Sequence, residues 1–170
     1  MLTRPAAGEH ADFYRTYVAL VPEGDFATVM AGGHEALVAR LRGAAAKAGH
    51  RYAEGKWSLA ESVQHLVDAE RVFAYRLLAI LRGQAAPLPG FDENAWAPAS
   101  EADARDFAGL VEEYALVRRT TLALIASAPN AAWANRGVMS GNPATARALA
   151  FIIAGHERHH DALFRERYGV

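Results

Sequence analysis

The stretch QAAPLPGFDENAWAPASEA, Gln84 to Ala102, decides how this chain folds. Its 19 residues carry three prolines and a glycine between two helical patterns, so it reads as a connection. Extended, it reaches about 60 Å, well beyond the length of about 37 Å of the helix before it. A connection of that reach can return the chain to the end of the bundle it came from. The helices on either side can then lie parallel, where a short loop would make them antiparallel.

Working outward, Ser58-Leu59-Ala60-Glu61 is a capping box, with Trp57 before it as a staple. The stripe Leu59, Val63, Leu66, Phe73, Leu77 follows, and the helix is expected to stop at Arg82-Gly83. Beyond the connection, Ser100 with Asp103 is expected to cap a helix to about Ser127, striped by Phe107, Leu110, Tyr114, Val117, Thr121 and Leu124. Asn142-Pro143, a cap followed by proline at the first helical position, is expected to open a last helix to about Arg167. A first long helix is expected from Phe26 to Lys47, after a short one from His10 to Leu20 that Pro22 ends. No β-branched run or hairpin signal stands out, so strands are not expected. The fold class is all-α: one four-helix-bundle domain over residues 1–170.

The bulk numbers narrow the function. A 52% hydrophobic content with a formal charge of -1 describes a soluble globular chain without the basic surface nucleic acid needs. The opening MLTRPAAGEHADFY lacks a signal-peptide core, and the apolar run Ala148–Ala154 is too short to span a bilayer. A cytoplasmic location with no membrane or nucleic-acid partner is expected. With no cysteine, there is no disulfide and no thiolate ligand. A metal would need His, Asp or Glu, and a reactive thiol would have to come from outside.

The stretch AGHERHH, Ala154 to His160, holds three of the seven histidines. His156-Glu157-Arg158-His159-His160 matches the zinc-protease pattern H-E-x-x-H. The protease reading fails on the third ligand, which such enzymes take from downstream: only ten residues follow His160, none of them His. The extended form of the motif would need Gly at 163 and His at 166, where the chain has Leu163 and Glu166. The spacing itself is still chemical. His156 and His160 lie one turn apart on the apolar stripe of Leu149, Ile152, Ile153 and Leu163, and imidazoles at i and i+4 can share one ion.

A third ligand must then come from upstream. His65 is the best candidate, on a stripe with Ser62, Ala69, Val72 and Arg76 that flanks the apolar face. His10 and His50 are weaker, and His34 on the first helix stays open. His159 could replace His160 through i, i+3 geometry or simply neighbour the site. If His65 is to meet His156 and His160, the second and last long helices run antiparallel. The third and last are also expected to be antiparallel. The second and third are then parallel, which is the crossover that Gln84–Ala102 can supply.

Tyr52-Ala53-Glu54-Gly55-Lys56-Trp57-Ser58, His65-Leu66-Val67-Asp68-Ala69-Glu70-Arg71-Val72-Phe73, Pro89-Gly90-Phe91-Asp92 and Gly155-His156-Glu157-Arg158-His159-His160 follow one another along the chain. In this order and spacing they resemble the DinB-like (YfiT-like) metalloenzyme superfamily, over nearly the whole chain. The resemblance implies a four-helix bundle of up-down-down-up connectivity. It implies a divalent metal, zinc or nickel, on one histidine of the second helix and two of the last, here His65, His156 and His160. It implies a homodimer in many members. It also implies a small-molecule substrate, with thiol-dependent S-transferases and isomerases and metal-dependent hydrolases among the relatives. The exogenous thiol would be bacillithiol, mycothiol or glutathione. A metal-binding or stress-response module without turnover is the alternative.

Three imidazoles leave a coordination position open, which is the catalytic rather than the structural pattern. Glu157, next to a ligand, is the candidate general base; a solvated surface carboxylate is the competing reading. Asp161 could orient a ligand imidazole. Glu70 interrupts an apolar stripe and needs a partner if buried, for which Arg118 is the candidate. Trp57, Trp96 and Tyr168 could line a pocket mouth.

Overall fold

The hydroxyl of Ser58 accepts from the Glu61 amide at 3.0 Å, and Glu61 Oε2 accepts from the Ser58 amide at 2.8 Å. This reciprocal cap opens the helix that organises the chain. In the computed structural model, which describes residues 2–84 and 86–170, the helices are α1 (Arg15–Ala19), α2 (Phe26–Arg42), α3 (Leu59–Leu81), α4 (Glu93–Ala99), α5 (Phe107–Ser127) and α6 (Ala146–Leu163). Residue 85 of the expected crossover lies outside the described residues.

Side-chain pairs fix the directions of the four long helices. His34 meets Glu157 and Arg40 meets Asp161, so α2 and α6 advance together. Gln64 meets Arg105 and Arg71 meets Glu113, so α3 and α5 advance together. His65 meets His156, while Asn135 ties the end of α3 to the start of α6 through Ile80 O and the Ala146 amide. Thus α3 and α6 are antiparallel, and α2, α3, α5 and α6 run up, down, down, up. The connection from Gln84 to Ala102 makes the crossover.

The interior has two apolar blocks. One gathers Phe26, Met30, Phe73, Leu77, Ile80, Leu149 and Ile153; the other gathers Leu37, Leu41, Leu59, Leu66, Leu110 and Phe164. Between them on each long helix sits a buried polar residue: His34 on α2, Glu70 on α3, Arg118 on α5 and Glu157 on α6.

Five expectations are corrected. The last helix is capped by Thr145, whose side chain accepts from the Ala148 amide, and not by Asn142-Pro143. Asn142–Thr145 is instead strand β2, antiparallel to β1 (Arg136–Met139), so strands are present. The turn between them is Ser140-Gly141, with φ of 51° and 76°, the left-handed pair that a two-residue hairpin needs. Asp106, not Ser100 with Asp103, caps α5, because Glu101 adopts φ 50° and breaks the chain's direction before it. The first long helix ends at Arg42 rather than Lys47, and its last part is a separate 3-10 turn at Ala45–Lys47. The crossover also contains a helix of its own: Asp92 accepts from the Asn94 and Ala95 amides to open α4. Leu88 of the crossover donates to Val138 O at 2.8 Å and accepts from the Ser140 amide at 3.0 Å, which stitches it to the hairpin. The short helix expected from His10 to Leu20 is one 3-10 turn, Asp12–Tyr14, followed by α1. Among the described residues no helix is long and apolar enough to cross a membrane.

One backbone approach sets the site. A Cβ on Gly155 would lie 1.9 Å from Tyr17 O, so α1 can rest on α6 only over a glycine. Gly155→Ala is expected to force α1 away and to cost about 3 kcal/mol, the upper end of ordinary overpacking. For a chain of this size that lowers Tm by on the order of 10 °C. Thermal unfolding checks this, and an unchanged Tm would mean that α1 yields freely.

Candidate metal centre

His65 lies on the second turn of α3, and His156 and His160 lie one turn apart near the end of α6. The antiparallel run of the two helices brings them together. His65 Nε2 and His156 Nε2 are 3.2 Å apart. The ring centroids are separated by 5.2 Å (His65–His156), 4.9 Å (His65–His160) and 4.6 Å (His156–His160). One nitrogen from each ring falls within 4.8 Å of the others, and no further His, Asp or Glu joins the cluster among the described residues.

Aromatic side chains wall the trio. Tyr17 stands edge-on to His156 at 5.6 Å, Phe73 does so at 5.4 Å, and Trp57 covers His65 at 5.0 Å. His156 and His160 are each 7% exposed. Burial pushes the His65 imidazole down to about 4, against a small upward pull from Glu93. Burial also pushes His156 and His160 well below the ordinary histidine value. All three are therefore neutral at pH 7 and present lone pairs.

Three features fit a divalent cation. Two nitrogens bound tetrahedrally at about 2.0–2.1 Å lie roughly 3.3–3.4 Å apart, close to the 3.2 Å of His65 and His156. His160 Nδ1 is buried without a hydrogen-bond partner, an orphaned polar atom within the trio. Uncharged imidazoles alone suit a borderline ion such as zinc or nickel.

The trio forms one wall of a cavity of about 600 Å³, the size of a small-molecule site. Tyr14, Tyr17, Trp57, Phe73 and Phe91 make its sides mostly apolar, and Arg76 and Glu93 also face it.

The other candidates fall elsewhere. Glu157 is 3% exposed and does not line the cavity. Its carboxylate accepts from His34 Nδ1 at 3.0 Å and from the Tyr114 hydroxyl, with Arg118 at 3.3 Å. Burial pushes its carboxyl up, but Arg118, His34 and Tyr114 hold it below the usual carboxylate range. It therefore lacks the access to substrate that the general-base reading requires. The reason is angular, since adjacent helix residues point about 100° apart. With His156 on the cavity, Glu157 faces α2 and α5. Arg118 also pairs with Glu70 at 2.9 Å, the partnership expected from the sequence. Burial pushes the Glu70 carboxyl up, against the pull of Arg118.

His34 thus belongs to the polar layer and not to the trio. His159 is exposed and edge-on to Tyr17 at 5.6 Å. Asp161 pairs with Arg40 and Arg165 rather than with a ligand imidazole. His10 bridges Ala144, and His50 packs near Tyr168 at 6.2 Å. Trp57 lines the cavity. Trp96 does not, and stacks instead on Phe91 at 4.9 Å. Tyr168 donates to Trp57 O at 2.8 Å and so supports that wall from behind. Tyr17 and Arg76 were not singled out for the site from the sequence. Arg76 had a signal, since it shares the stripe of His65; Tyr17 had none, because its contact runs through Gly155.

The buried trio predicts a pH dependence. Unfolded, His65 takes up a proton near 6.5; folded and metal-free, it does so only near 4. Between these values the unfolded chain binds more protons, so the metal-free protein loses stability as pH falls. Urea unfolding of chelator-treated protein at about pH 7 and about pH 5 should show a lower midpoint at the acid value; equal midpoints would contradict a neutral buried trio.

A bundle of this connectivity, with its histidine cluster between α3 and α6, is a DinB-like fold. Residues 32–164, which include the whole trio, match the DinB superfamily, and the chain belongs to that superfamily. A solved structure similar over nearly its whole length is YfiT from Bacillus subtilis, described as a probable metal-dependent hydrolase with an unusual four-helix bundle topology. The TM-score is 0.67 at 17% identity, with 98% of this chain and 94% of that chain covered, a likeness of fold. No curated protein matches the chain.

Proposed function

We propose that this protein is a metal-dependent enzyme that holds a divalent cation, zinc or nickel, on His65, His156 and His160 and acts on a small molecule in the adjoining cavity. One observation carries the reading: three neutral imidazoles converge on a cavity wall, and no further His, Asp or Glu among the described residues joins them. That is the pattern of a catalytic ion, whereas a structural ion is closed off by four. When bound, the ion would supply Lewis acidity and lower the pKa of a water or of an external thiol.

The chain's own residues prepare the rest. Tyr17, Trp57 and Phe73 exclude bulk water around the imidazoles, which strengthens every polar contact there. Glu157 is a positioning residue: anchored to α2 and α5, it fixes the rotation of α6 and with it the aim of His156. Hydrolysis and thiol-dependent group transfer both suit such a site. The description of YfiT supports the first. The absence of cysteine leaves the nucleophile of the second to an exogenous low-molecular-weight thiol.

The test is a substrate panel on the metal-loaded protein: esters and amides alone, and electrophiles together with bacillithiol, mycothiol or glutathione. Turnover that disappears on chelation and in His65→Ala is expected. No metal-dependent turnover in either arm would favour a binding module.

A further inference from the structure

Among the described residues, Arg76 is the one buried side chain of the cavity wall that carries a full charge. It is 2% exposed, yet it faces the same cavity as the trio. A buried guanidinium ordinarily pairs with a carboxylate. Here its hydrogen bonds go to two neutral oxygens, Pro89 O at 2.6 Å and Ser140 Oγ at 2.9 Å. Both leave from Nη2, so Nε and Nη1 find no acceptor among the described residues. Burial weakens its hold on its proton, and the other influence on it is the Tyr14 phenol, not an acid. Glu93, the carboxylate on this cavity, is exposed and acts on His65 and Tyr17 instead.

The surroundings hold this guanidinium in place. Its Cζ stands 5.8 Å from the centres of both the Phe73 and the Phe91 rings. Phe73 in turn meets His156 at 5.4 Å, so one phenyl ring touches both Arg76 and the trio. On α3, His65 and Arg76 share a face at an axial spacing of about 16 Å, and both line the same cavity. Pro89 comes from the crossover and Ser140 from the hairpin, so two connections whose topology defines the fold meet at this residue.

We propose that Arg76 is an anion-binding subsite that selects small oxyanions, carboxylates or phosphates with an apolar body, and points their other end toward the histidines. Nη1 and Nε keep their N–H donors on separate edges of the guanidinium, so an oxyanion is held there by single charge-assisted hydrogen bonds. The aromatic sides take the apolar body. Substrate orientation follows: the anionic group sits at Arg76 and the reacting group at the trio. This substrate class rests on the metal-enzyme reading above, but the anion preference itself can be measured without the metal.

The experiment compares 3-phenylpropionate, phenyl phosphate and the neutral 3-phenylpropanamide by calorimetry on metal-loaded and on chelator-treated protein. A charge-assisted pair predicts that at least one oxyanion binds about tenfold or more tighter than the amide, in both forms. Whichever oxyanion binds tighter identifies the group. Arg76→Gln should abolish the preference and Arg76→Lys should keep part of it, which also covers the case that the glutamine variant does not fold. Equal affinity for acid and amide, no saturable binding of any probe, or a preference that survives Arg76→Gln would overturn the subsite. A preference lost on metal removal alone would overturn it as well, because the anion would then sit on the ion. Failure of the metal reading is seen separately, as absence of bound metal with the anion preference intact.

Discussion

Arg118→Met is expected to be the most destabilising single change in the protein. Arg118 is 1% exposed and lies between two carboxylates, Glu70 at 2.9 Å and Glu157 at 3.3 Å, each 3% exposed. Removing one partner of a buried pair leaves an uncompensated charge and costs about 3–5 kcal/mol. Here two carboxylates are stranded, so the upper part of that range applies. For a chain of this size the Tm should fall by on the order of 10 °C or more. Neutralising the layer as a whole should recover much of the loss, because uncharged residues of similar volume avoid the desolvation cost. The triple variant Arg118→Met, Glu70→Gln, Glu157→Gln is therefore expected to be more stable than Arg118→Met alone. Denaturant unfolding of both variants measures this. A loss below about 1 kcal/mol in Arg118→Met would mean that water or another cation already serves the two carboxylates.

His156→Ala is expected to have the largest effect on the metal. The ring is buried within the trio, 3.2 Å from His65 through Nε2 and one turn from His160. Loss of an outer partner costs a metal site about 10–100-fold in affinity. Loss of a ligand from a set of three should cost more than a hundredfold, since the two remaining imidazoles hold an ion only weakly. The variant also leaves an apolar hole beside Phe73, but His156 is neutral, so the fold should survive. Competition against a coloured chelator gives the affinity, with circular dichroism as a control for folding. Affinity within tenfold of the starting protein would place the ion elsewhere.

Much of this was readable in the chain because local rules and long-range needs agree. The Ser58 capping box and the Leu59–Leu77 stripe settle α3 within a residue at each end. Two histidines at i and i+4 on an apolar face ask for a third, and only an antiparallel α3 brings His65 near. Glu70 on an apolar stripe asks for a cation, and Arg118 is there. The misses share a different cause. Asn142-Pro143 and Thr145 both satisfy the rules for a helix start, and the choice is made by partners far away in sequence. Val138 faces Pro143, and Leu88 and His10 add bridges on either side of the hairpin. Ser100 lost to Asp106 because of a left-handed Glu101 that no sequence pattern marks. Nothing in the sequence marks Gly155 as the place where the Tyr17 backbone lies against α6. Glu157 is the instructive case. A protease motif made it a base, yet the 100° step from its neighbour turns it into the interior, where it anchors α6 against Tyr114, His34 and Arg118.

The central claim is an ion on three histidines with the rest of its coordination open to the cavity. A crystal structure of the metal-loaded protein, with anomalous data at the metal edge, tests it most directly. The predicted result is one ion per chain, touching His65, His156 and His160 and no other protein atom, with its remaining positions filled by solvent or ligand from the cavity side. An ion closed off by a fourth protein ligand, or no anomalous peak between the three imidazoles, would contradict it.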